Sequence, residues 1–170
     1  MRRIRENGGT RKDMFGVLND TQRTQLEEYR AKRIRDGDSE EKYPAMRPWT
    51  ELAGDLRDSN RQQADHIPVK LRALSCRMVP APDEADDGTL VLKDEEIEAL
   101  ARAEHRRWCA SRRLAGYRYG PTRNDADRIH PDLVPWEELS EPIRDYDREP
   151  VRNLPTLLAT LGYRIERQRD

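Results

Sequence analysis

The stretch from Glu104 to Arg112 holds the side chains best suited to ligand chemistry. Glu104, Trp108 and Arg112 fall one helical turn apart, so they project from one face with His105 beside them. An indole can form the floor on which a purine stacks, while a guanidinium forks onto phosphate or carboxylate oxygens. Glu104 and Arg112 would form the polar rim. The competing reading is a Glu–Arg ion-pair ladder with Trp108 filling the core. Tyr117 and Tyr119 alternate with Arg118 between glycines and read as a short strand with both rings on one face. They form either an adjoining wall or a packing pair. A second group, Asn60, Arg61 and Gln63, lies on a helix whose apolar face is Leu56, Ala64 and Ile67. Its amides donate and accept, which suits base edges or ribose hydroxyls; the alternative is a solvated polar face.

No catalytic signature accompanies these groups. HExxH, GxSxG, P-loop and GxGxxG patterns are absent, and the Cys and His spacings match no zinc site. The expectation is a non-enzymatic protein without a cofactor or metal. Composition narrows the class further. Thirty-two basic and 33 acidic side chains leave a net charge of -1, which argues against a nucleic-acid-coating protein. Hydrophobic residues make up 35% of the chain against 38% charged, so the core must be thin. No 18-residue apolar run marks a membrane span, and no apolar segment behind the basic start marks a secretory signal. Cys76 and Cys109 form either one disulfide or, in a reducing cytosol, two free thiols. The expected location is the cytoplasm. Arginine outnumbers lysine 27 to 5, a bias explained by a GC-rich genome or by selection for planar multi-donor groups.

The elements that must position these residues follow from pattern. Residues 1–16 read as a flexible basic tail. A helix is expected over Val17–Ile34, with Leu18, Leu26, Tyr29 and Ile34 on one face. A helical region runs from Trp49 to Leu74, and an acidic proline-containing connector spans 80–93. Asp94 is the expected cap of a helix with Ile97, Leu100, Ala101, Trp108 and Cys109 along its stripe, ending at Gly116.

An internal repeat organises the whole. Residues 48–78 and 135–165 align without gaps at an offset of 87, with eleven of 31 positions identical. Pro48-Trp49, Leu52, Arg57-Asp58, Arg61, Pro68, Leu71, Leu74 and Arg77 all recur. Helical periodicity aligns leucines but does not place Pro68 opposite Pro155. The expected fold is therefore mainly α with short antiparallel strands, an α+β architecture of two pseudo-twofold units, 17–79 and 94–166, packed as one domain. In each, an entry helix leads through a Pro-Trp turn and paired helices to a closing strand, and Tyr29 stands weakly opposite Trp108. The seam between units is the expected ligand cleft. Repetition of Arg57/Arg144 and Arg61/Arg148 beside Asp58/Asp145 favours a shared ion-pair network, and Trp49 and Trp136 read as core anchors.

The second unit also resembles a known family. Glu104-His105 with Trp108, Gly116-Tyr117, Tyr119-Gly120, His130-Pro131, Leu133-Val134-Pro135, Glu138-Leu139, Tyr146-Asp147 and Gly162-Tyr163 occur in the order of the ryanodine-receptor repeat, the RyR domain. The likeness spans about 70 residues. The first unit resembles the divergent partner repeat of bacterial RyR-domain proteins through Trp49, Leu52, Ser59-Asn60-Arg61, Gln63-Ala64 and Ile67. It lacks the EHxxW helix and the GYxYG turn. The resemblance implies a helical pseudo-twofold module that senses a small, nucleotide-like molecule without turning it over. A protein-interaction adaptor without a small ligand is the alternative, and a hydrolase acting on a signalling nucleotide is the third.

Overall fold

Proline marks the helix starts of this chain. Pro68, Pro142 and Pro155 each sit in the first turn of a helix, where the N–H that proline lacks would have no intrahelical partner. The computed structural model describes residues 26–27, 29–39, 43–81 and 90–168. The expected tail, the start of the first helix and most of the connector lie outside the described residues.

A first helix, α1, is described at 26–27 and 29–35. A 3-10 turn at Pro44–Met46 leads to α2 (Gly54–Asp65), α3 (Ile67–Ala73) and strand β1 (Cys76–Pro80). The second half contains α4 (Asp94–Leu114), β2 (Arg118–Tyr119), β3 (Ile129–His130) and a 3-10 turn at Trp136–Glu138. It closes with α5 (Glu141–Arg152), α6 (Leu154–Thr160) and β4 (Tyr163–Arg167). The result is a mixed helical and short-stranded fold. The helical region expected from Trp49 to Leu74 is a turn at Trp49 followed by a pair of helices that meet at His66, with Pro68 in the first turn of the second, as the paired segments and the proline predict.

The bounds of α5, α6 and β4 each lie 87 residues beyond those of α2, α3 and β1. Strands β1 and β4 pair antiparallel, with Met78 opposite Ile165, again 87 residues on. Among the described residues the largest buried apolar cluster joins Cys76 and Ile165 of that ribbon to Ile67, Leu71, Leu154, Leu157 and Leu158 of the helices. Ser75 (φ 52) and Gly162 (φ 77), also 87 apart, make the left-handed turn into each strand. Serine pays a steric penalty there that glycine does not, so Ser75→Gly is expected to stabilise the fold by about 1 kcal/mol. A higher urea midpoint checks this; an unchanged or lower one contradicts it.

Helix α4 follows its apolar period. Ile97, Leu100, Ala101 and Cys109 are buried, whereas Trp108 turns from the stripe and is only half-buried. Lys93, not Asp94, is the N-cap, and its N–H donates to the Glu96 carboxylate at 2.9 Å. The helix stops where Gly116 adopts φ 85. On α1, Leu26 is buried but Ile34 is exposed, so the expected apolar face does not extend that far. The second strand pair departs from expectation: β2 and β3 run parallel. The chain reverses at Asn124, bridged antiparallel to Ile129, before β3 begins. Asn124 closes that turn by accepting the Asp127 N–H at 3.1 Å.

Candidate functional site

Helices α1, α2, α4 and α5 and the loop before Trp136 enclose a cavity of about 580 Å³. That size suits a nucleotide-scale ligand. Seven of the nine residues singled out from sequence line it: Asn60, Gln63, Glu104, His105, Trp108, Arg112 and Tyr117. Two do not. Tyr119 is 59% exposed: β2 begins only at Arg118, so Tyr117 lies before the strand and alternation does not hold the two rings on one face. Arg61 is also outside, bonded to Asp58 at 2.8 Å and 5.8 Å from the Trp49 ring centroid. Arg148, 87 residues on, repeats that arrangement with Asp145 at 3.4 Å and Trp136 at 5.6 Å, so both arginines have local structural partners. Trp136 is a buried anchor whose Nε1–H donates to Glu98 at 2.8 Å, while Trp49 is only half-buried.

Trp108 forms part of the wall. Its ring is stacked on His105 at 5.8 Å and meets the His130 ring edge-on at 4.9 Å. Arg112 lies 6.0 Å from the Trp108 centroid and 5.3 Å from that of Tyr117. The expected Glu104–Arg112 ladder does not form. Arg112 instead meets Asp55 at 3.6 Å, its one ion pair among the described residues, and so retains N–H donors for a ligand. Asn60 donates to the Leu56 carbonyl at 2.9 Å, which fixes the amide and leaves its oxygen as an acceptor.

Glu104 is held from two sides. Lys70 of α3 approaches its Oε2 at 2.6 Å, and Arg107 donates to Oε1 at 2.7 and 3.0 Å. Burial pushes its carboxyl up, but the Lys70 and Arg107 charges outweigh burial and hold it at about 2. His105 donates from Nε2 to the Val134 carbonyl at 2.9 Å and faces Asp147 through Nδ1 at 3.4 Å. Burial opposes the imidazolium, yet Asp147, Cys109 and Val134 together lift it to about 10. Burial lowers His130 to about 4, reinforced by Arg123 and Arg112, so it is neutral at pH 7.

The His105 shift has a stability consequence. A pKa raised in the folded state adds stability that is complete below about 6.5 and lost as pH rises through about 10. The melting temperature is expected to fall between pH 7 and 10, and to fall less in Asp147→Asn. Parallel curves for wild type and variant would contradict that pairing.

Lys70, Arg107, Tyr29, Arg33, Arg123, His130, Asp132, Tyr146 and Asp147 were not singled out from sequence as site residues. Their roles depend on contacts across the fold, such as Lys70 with Glu104. The signals available were the His130-Pro131 and Tyr146-Asp147 motifs and the weak alignment of Tyr29 with Trp108. Both free cysteines are buried, and among the described residues no group of three or more His, Cys, Asp or Glu is placed to hold a metal ion. No described helix is long and apolar enough to cross a membrane.

A family model, the RyR domain, matches residues 78–167. The match runs from the middle of β1 through β4. It includes the whole of α4, with Glu104, His105, Trp108 and Arg112, while Asn60 and Gln63 lie before it. With just over half of its length inside that match, the chain belongs to the RyR-domain family.

Proposed function

We propose that this RyR-domain protein is a binding module, without turnover, for a small nucleotide-derived ligand held in the cavity between two tandem repeats of bacterial type. The repeats are 17–79 and 94–166, joined by the 80–93 connector, and the module acts in the cytoplasm. The observation that carries the reading is the pairing of the Trp108 wall with Arg112, a guanidinium whose one ion pair among the described residues is loose, in a cavity of about 580 Å³. Stacking suits any base, and the free donors suit a phosphate oxygen. Coincident element bounds at an offset of 87, and a ribbon centred on Met78 and Ile165, support the duplicated unit.

A thermal-shift screen against mono-, di- and cyclic nucleotides and NAD derivatives tests this. A ligand that binds only the folded state stabilises it by about 2.7 kcal/mol at one hundred times its dissociation constant. At least one compound is expected to raise the melting temperature, and Arg112→Ala is expected to weaken its binding at least about tenfold. Silence at millimolar concentrations would overturn the reading and favour an adaptor whose charged helices meet a protein partner.

A further inference from the structure

The cavity walls repeat along with the chain. Leu56, Ser59 and Asn60 of α2 line one side, and Ile143, Tyr146 and Asp147 of α5, each 87 residues on, line the other. Helices α1 and α4 repeat a further feature at an offset of 79. Tyr29 is followed four residues later by Arg33, and Trp108 four residues later by Arg112. Both guanidiniums stand near the ring one turn back, at 5.5 Å for Arg33 and 6.0 Å for Arg112. All four side chains line the same cavity. The smaller offset has a simple source: 16 residues separate Arg33 from Trp49, whereas 24 separate Arg112 from Trp136. The cavity thus contains two aromatic–guanidinium pairs, one from each half of the chain.

We propose that the ligand is a dinucleotide, two nucleobases joined through phosphate, with one base against Trp108 beside Arg112 and the other against Tyr29 beside Arg33. This rests on the nucleotide reading above. A mononucleotide satisfies one aromatic–guanidinium pair and leaves the other hydrated. Joining two such heads makes the second contact intramolecular, which raises overall affinity by about 10² to 10⁴.

The two halves are not equal. Arg33 is already bonded to Asp38 at 2.8 Å and to the Tyr29 hydroxyl at 3.1 Å, whereas the one ion pair of Arg112 among the described residues is the 3.6 Å contact with Asp55. The Trp108 half is the stronger, and a mononucleotide occupies it first. Near-symmetry of the walls suits two similar heads, and their inequality fixes a single orientation when the heads differ.

Calorimetric titration tests this with cyclic di-AMP, cyclic di-GMP and diadenosine tetraphosphate against AMP and GMP. One dinucleotide per chain is expected, bound at least about 100-fold more tightly than the matching mononucleotide. Tyr29→Leu, which keeps an apolar side chain against α5, is expected to weaken the dinucleotide at least about tenfold more than it weakens the mononucleotide. A melting curve on the same preparation reports that this variant folds. Equal affinity for both ligand types would overturn the proposal while leaving the nucleotide reading intact. So would a Tyr29→Leu protein that binds the dinucleotide as wild type does. Failure of every compound to bind overturns both.

Discussion

Glu104→Gln is expected to destabilise the protein by about 3–5 kcal/mol, the usual effect of removing one partner from a buried ion pair. Glu104 is 2% exposed and Lys70 5%, and they meet at 2.6 Å between α3 and α4. An amide cannot neutralise Lys70, whose ammonium would remain in a poorly solvated site beside the Arg107 guanidinium. Urea denaturation of variant and wild type measures the difference. The double variant Lys70→Leu with Glu104→Leu is expected to recover most of the loss, because the residue 87 positions after Lys70 is the buried Leu157. A loss below about 1 kcal/mol in Glu104→Gln would show that the pair contributes little.

Trp108→Ala is expected to remove ligand binding, by at least about 100-fold, while destabilising the fold by only about 1–2 kcal/mol. Base–aromatic stacking is worth about 1–3 kcal/mol per base, and the loss of the wall also frees Arg112 from the position it holds above the ring. The stability cost is modest because Trp108 is half-buried and contributes mainly its contacts with His105 and His130. Calorimetry and a melting curve on the same preparation separate the two effects. Ligand affinity unchanged in this variant would take Trp108 out of the site.

Features set by local rules were legible in the sequence. The Pro68 and Pro155 helix starts, the stop at Gly116 and the buried stripe Ile97–Leu100–Ala101 follow from backbone chemistry and period. The parallel β2–β3 pair was not, since two-residue strands leave no alternation to read. Within the site, Trp108 and Arg112 were accessible because an aromatic and a cation share a helix face. Lys70 was hidden: a lysine among aliphatic residues reads as exposed, and only the folded chain brings it to Glu104. Arg33 was equally silent, as its neighbours Tyr43 and Tyr146 come from separate elements, each with its ring centroid 4.3 Å away. For Arg61 the recurrence at Arg148 beside an acidic residue was the sounder signal: each guanidinium pairs with that acid and lies near a tryptophan ring, and the amide-flanked spacing that suggested a ligand contact carries no information on which way the side chain turns.

The three tryptophan indoles give the most direct test of ligand binding in the cavity. In an amide correlation spectrum each indole N–H gives its own signal. Addition of the nucleotide with the largest thermal shift is expected to move the Trp108 indole signal strongly. The Trp136 signal, held by Glu98 in the core, should stay in place. A nucleotide that stabilises the protein yet leaves the Trp108 signal unmoved would contradict the account.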